Sequence, residues 1–196
     1  MTAFSHQPVM LEECMQGLAL RPGGIYFDGT VGGGGHSSEI LRRTAPDGRL
    51  IATDLDEDAI AAADKRLSEF RGRYRIHHAN FKEFASVLDS EGVGELDGVM
   101  LDFGVSSYQL DEASRGFSYM HDAPLVMRMD AGAQLSAADV VNGYDERSIA
   151  RILKEYGEER FAAKIAANVV RARAKAPIRT TGELAAIIQG SIPAKF

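Results

Sequence analysis

Along the first hundred residues, short apolar runs alternate with stretches whose apolar positions recur at helical spacing. The runs at 25–28, 50–54, 74–79 and 99–102 read as strands. Between them, 37–44, 57–70 and 81–90 carry the helical pattern, and Pro46-Asp-Gly48 and Glu91-Gly-Val-Gly94 mark the returns to strand. Such alternation predicts an α/β fold built on an open parallel sheet with right-handed crossovers. An opening helix is expected over 8–17, because Pro8 suits a first helical turn. After Phe103 the periodicity fades into a polar, Met-rich connection over 104–130. Helical spacing returns at 136–141, 145–156, 158–174 and 183–188, and Thr180 and Glu183 stand where a capping box requires them. No strand is predicted beyond 102.

A chain of 196 residues has room for one sizeable domain, or for one with a smaller appendage. With 45% hydrophobic and 26% charged residues it reads as an ordinary globular protein. No apolar run approaches the roughly 18–20 residues that cross a bilayer. The first residues show no basic region followed by an apolar stretch, so no secretory signal is expected. The single cysteine, Cys14, excludes an internal disulfide and a Cys-rich zinc site, and a reducing cytoplasm is the expected compartment. His77 and His78 are strand neighbours that point to opposite faces, which argues against joint metal binding.

Net charge is −6, which argues against coating nucleic acid through bulk positive charge. The charge is unevenly placed: residues 1–140 carry a balance of −10 and residues 141–196 a balance of +4. Read as one helix, the segment after Glu158 sets Arg160, Lys164, Arg171 and Lys175 within about 60° of one another, a basic stripe suited to RNA phosphates.

The chemistry concentrates in the run Asp28-Gly-Thr-Val-Gly-Gly-Gly-Gly-His36, between the first strand and its helix. Glycines there permit positive φ and bare the backbone, and the following helix offers unpaired N–H groups. The run lacks the Gly-Lys-Ser/Thr ending of a phosphate-cradling loop, so triphosphate hydrolysis is a poor reading. Asp54, 22 positions after Gly32, stands where a carboxylate binds ribose hydroxyls. A dinucleotide would bring a negative pyrophosphate, whereas S-adenosylmethionine brings a sulfonium and an ammonium. With Asp28, Asp54 and Asp102 at strand ends and no Lys or Arg in the loop, the cationic ligand is favoured.

Several runs resemble one family closely: His6-Gln-Pro-Val-Met, the loop ending at His36, Leu101-Asp-Phe-Gly-Val-Ser-Ser107, and Gln109-Leu-Asp111. Arg115-Gly-Phe-Ser118, Met127-Arg-Met-Asp130 and Tyr156-Gly-Glu-Glu-Arg-Phe161 extend the likeness to the end of the chain. The sequence is similar to the bacterial small-subunit ribosomal RNA (cytosine-N4)-methyltransferases, also called RsmH or MraW. The resemblance implies a class I, Rossmann-like S-adenosylmethionine methyltransferase sheet, incomplete here, with a helical inserted domain. Its implied parts are a cofactor-binding half over 1–104, an active-site connection over 105–130, and a helical, RNA-facing insertion over 131–196. Carried over by motif, the cofactor contacts are Gly34, Gly35, His36, Asp54, Phe81, Asp102 and Gln109. Gly34, Gly35 and His36 would face the methionine part, Asp54 the ribose and Phe81 the adenine.

The implied activity is methyl transfer to the exocyclic amine of a cytidine in small-subunit ribosomal RNA. Cytosine N4 is a poor nucleophile, so the site must orient the amine and accept its proton. Asp102, Ser106, Ser107 and nearby carbonyls are the candidates, and Ser106, Ser107, Arg160 and Lys164 are the candidate substrate contacts. Two other classes fit part of the pattern: a dinucleotide-dependent oxidoreductase, and a non-catalytic RNA-binding factor that keeps the cofactor fold. The family usually has a carboxylate where Val126 stands, and it continues past Phe196 into further strands. Residues 1–196 alone are therefore expected to fall short of a competent enzyme, with the fourth strand left as a sheet edge.

Overall fold

The computed structural model describes residues 8–193, and of Ser107 the backbone only; His6 and Gln7 of the opening motif lie outside the described residues. Contacts divide the chain into two compact units, residues 1–106 and 107–196.

The first unit is built on four parallel strands, β1 (Ile25–Asp28), β2 (Arg49–Asp54), β3 (Tyr74–His78) and β4 (Gly98–Met100), in the order β3-β2-β1-β4. Helices α1 (Leu11–Gly17), α2 (Gly35–Arg43), α3 (Glu57–Leu67) and α4 (Phe84–Ser90) accompany them. Successive strand residues enter opposite cores. Tyr26, Leu50 and Ala52 pack with Ile40, Leu41, Ala63 and Leu67, while Phe27 and Ile51 pack with Val87, Leu88 and Val93. Burial on both faces is why these strands read as continuous apolar runs. Ile40 and Leu41 are fully buried, each contributing about 1.5–3 kcal/mol. The chain runs to one side of β1 for β2 and β3, then returns to its other side for β4. Ligands of such sheets sit at this reversal, beyond the carboxyl ends of the strands.

Three local readings are corrected. Helix α1 begins at Leu11, not Pro8, because Met10 takes a left-handed conformation with φ 51°. Strand β4 ends at Met100, since the Asp102 N–H turns to Thr30 Oγ1 at 2.7 Å. The stretch at 81–90 opens as a 3-10 turn, Phe81–Glu83, capped by Asn80 through the Lys82 N–H, before α4 starts.

The second unit holds α5 (Ser107–Asp111), α6 (Ala137–Gly143), α7 (Glu146–Glu155), α8 (Ala162–Arg173) and α9 (Thr181–Ser191). Leu125, Val141, Ile149, Ile165, Ala166, Val169 and Ile178 form its core. Both Ser136 with Asp139 and Thr180 with Glu183 complete capping boxes. The connection before α6 lacks periodicity yet is tightly stitched. Arg115 donates to the carbonyls of Arg128 and Met129, Met127 N–H to Arg115 O, and Leu125 N–H to Arg179 O. Such side-chain and cross-chain bonds leave no trace in a hydrophobic pattern.

The basic stripe expected on one long helix does not form. Glu158 is left-handed at φ 50°, Glu159 N–H bonds back to Leu153 O, and Glu159 Oε1 accepts from Phe161 N–H. Helix α8 therefore starts only at Ala162 and ends at Arg173, leaving Arg160 in the preceding turn and Lys175 beyond the end. Among the described residues no helix is long and apolar enough to cross a membrane.

Candidate functional site

Beyond β1 the chain is pinned to both neighbours. Gly29 N–H donates to Met100 O at 3.0 Å, and Val31 N–H to Thr53 O at 3.0 Å. Thr53 Oγ1 donates to Gly29 O, so the glycine-rich loop leaves the sheet from a fixed base.

Asp28 does not open onto the crevice. It is 1% exposed, accepts from Ser37 Oγ at 2.6 Å and from Thr30 N–H at 3.1 Å, and burial raises its pKa. Its work is to tie strand, loop and α2 together, which removes it from the charge argument for a cationic ligand. Asp54 and Asp102 remain.

Asp54 ends β2 half-buried. Its Oδ2 accepts from Gly32 N–H at 2.8 Å and its Oδ1 from Asp56 N–H at 3.0 Å. Burial raises its pKa, against the opposing pull of those N–H groups. Each carboxylate oxygen has a second lone pair, so the side chain can shape the loop and still receive hydroxyls. Asp102 is exposed just past β4, its backbone fixed by Thr30.

Gly34 and Gly35 are required by packing of the protein itself. Gly34 has φ +76°, and a Cβ there would lie 3.2 Å from Ala63 Cα on α3; a Cβ on Gly35 would strike Pro8 at 2.4 Å. His36 is 8% exposed, with Nε2 3.0 Å from Val9 O. A carbonyl only accepts, so this nitrogen carries the proton. The ring therefore clamps the segment before α1. For Gly34, Gly35 and His36, side-chain space serves the fold; what they can offer a ligand is backbone at the start of α2.

Phe81, in the turn after β3, is 37% exposed and meets Phe103, which is 68% exposed, at 5.4 Å between ring centroids and 56° between planes. Strands β3 and β4 lie at opposite edges of the described sheet, so the two rings reach toward each other past the ends of the strands between. Phe103 escaped the sequence reading; an aromatic directly after the strand-end Asp102 was the signal. Ser106 is half-buried at the end of this unit.

In the second unit Gln109 is buried on α5, and the backbone of Ser107 opens that helix. Arg160 and Lys164 are both exposed, the first before α8 and the second on it. His77 and His78 take different partners, Glu91 Oε1 at 2.9 Å and Leu55 O at 3.0 Å.

A model of the MraW methylase family matches residues 3–196. Ribosomal RNA small subunit methyltransferase H of Symbiobacterium thermophilum is 57% identical over 192 residues, covering 98% of this chain and 60% of that protein. The protein of the same name from Geobacter sp. strain M21 is 53% identical over 193 residues, covering 98% and 62%. The chain thus spans about 60% of the length of these curated relatives. Among solved structures, TrmN from Thermus thermophilus is 19% identical with a TM-score of 0.42, covering 52% of this chain and 30% of that one.

Proposed function

Because the chain belongs to the MraW methylase family, we propose that it binds S-adenosylmethionine at the carboxyl ends of β1, β2 and β4, for methyl transfer to a cytidine N4 in small-subunit ribosomal RNA. One observation carries the reading: two accessible carboxylates, Asp54 and Asp102, flank a glycine-rich loop that itself contains no Lys or Arg. The two carboxylates suit a sulfonium and an ammonium, while Arg66, a cation lying against the loop, donates to Gly33 O at 3.2 Å. The names of the curated relatives support the rRNA substrate.

The residues divide the work. Asp54 accepts from the ribose hydroxyls while its bonds to Gly32 and Asp56 hold the loop. Phe81 lies against the adenine. Backbone of Gly34, Gly35 and His36 borders the methionine part, and Gln109 is a further contact implied by its motif. The bound cofactor supplies a methyl group already activated on sulfur. Asp102 stands where donor and acceptor meet, and with Ser106 and Ser107 it orients the amine and takes up its proton. Alignment of the two centres supplies most of the acceleration. The target base must be splayed from its stack to reach the crevice. Arg160 and Lys164 are proposed RNA contacts.

Thermal stabilisation by S-adenosylhomocysteine and not by NAD is the expected result, and any methyl label transferred to small ribosomal subunits should be recovered as N4-methylcytidine. Stabilisation by NAD alone, or label in another nucleoside, would overturn the reading.

A further inference from the structure

The stripe that fails on α8 exists on α7. Arg147, Arg151 and Lys154 lie within about 60° of one another at 100° per residue, all three exposed. Together with Ser148, Ala162 and Ala163 they line a groove of about 610 Å³ between α7 and the start of α8. We propose that this groove binds the sugar–phosphate backbone of RNA.

Charge supports this first. Among the described residues the side chains of Arg147 and Lys154 make no hydrogen bond or ion pair, and that of Arg151 has only Glu155 at 3.9 Å, with both side chains more than half exposed. Like charges one turn apart repel and weaken a helix. Here Arg147 and Arg151 are so placed, in a chain whose net charge is −6. A polyanion in the groove would offset that repulsion.

Side-chain chemistry sets the class of ligand. Two of the three cations are arginines, whose planar fork matches phosphate oxygens. They rise along the helix at about 6 Å and then 4.5 Å, at 1.5 Å per residue, so they form a row and not a point. The rest of the lining is small or aliphatic, apart from Ser148 and Glu155, with no aromatic ring to stack a base and no amide to read one. Such a groove positions RNA without reading its sequence.

The inference rests on the RNA-methylating reading, and its test is separable from it. The triple variant Arg147→Gln, Arg151→Gln, Lys154→Gln is titrated with fluorescein-labelled oligo(U) and with a mixed-sequence RNA of equal length, at several salt concentrations. The slope of log affinity against log salt should flatten by about 2 for three lost contacts to single strands. Affinity should fall about tenfold or more near 0.1 M salt, equally for both RNAs, while S-adenosylhomocysteine affinity stays unchanged and the melting temperature holds or rises. An unchanged slope, or a wild-type protein that binds neither RNA, overturns the groove. So does polyglutamate binding as tightly as RNA and lost in the same variant, which would assign the groove to an acidic protein. Failure of S-adenosylhomocysteine to bind the wild type would instead sink the methyl-transfer reading, leaving the salt slope to decide the groove.

Discussion

Asp54 Oδ2 accepts from the Gly32 backbone N–H at 2.8 Å, across 22 residues of sequence. The residue expected to hold the ribose is thus also the residue that shapes the loop around it. Asp54→Ala should weaken S-adenosylhomocysteine binding by about 1–3 kcal/mol, through lost charged acceptors. It should also lower the melting temperature, because Gly32 and Asp56 lose their acceptor. Calorimetry showing wild-type affinity would remove Asp54 from the site.

Phe81 and Phe103 meet at an angle, so a purine laid on one ring meets the edge of the other. Truncating either to Ala should weaken S-adenosylhomocysteine and 5′-methylthioadenosine by similar factors, about tenfold by the usual worth of ring–base stacking. Phe103 is mostly exposed, so its truncation should scarcely move the melting temperature. If Phe103→Ala left both affinities within twofold, the ring would not touch adenine.

Asp28 carries a pH signature of its own within the first unit. Burial raises its pKa above the ordinary 3.8, so the folded chain binds this proton more tightly than the unfolded one. Its stabilising contribution is complete below about pH 3.8 and is lost as pH rises through the folded value. An Asn at this position could still accept from Thr30 N–H and donate to Ser37 Oγ. Asp28→Asn should therefore gain stability relative to wild type as pH climbs from about 4 to 7, read from urea midpoints. Parallel pH profiles for the two proteins would contradict it.

The four strands were legible because burial on two faces writes itself as apolar runs. Tyr26 and Phe27, or Leu50 and Ile51, are adjacent yet serve different cores. The Thr180–Glu183 box was equally plain, since its spacing is its mechanism. What failed to show was anything fixed by hydrogen bonds between distant residues. The break at Glu158 depends on Glu159 finding Leu153 O, and the burial of Asp28 on Ser37 and Thr30. At the site, the glycines and acids were visible as types. That Gly35 makes room for Pro8, and that His36 reaches Val9, belongs to packing alone.

His36 offers a test of that packing role. His36→Ala removes the donor to Val9 O and should speed amide exchange in α1 (Leu11–Gly17), measured by mass spectrometry. If the ring acts only as a clamp, affinity for S-adenosylhomocysteine should stay within about threefold, by less than 0.7 kcal/mol. A far larger loss with unchanged exchange would place the ring on the ligand instead.

The most direct test of the cofactor site is photo-crosslinking of methyl-labelled S-adenosylmethionine to the chain, followed by peptide mapping with excess S-adenosylhomocysteine as competitor. Competable label should fall on peptides carrying residues 28–36, Asp54, Phe81 or Asp102–Phe103, and Asp54→Ala should reduce it. Label confined to the helices of residues 137–191, or label that the competitor does not displace, would contradict a cofactor site at the ends of β1, β2 and β4.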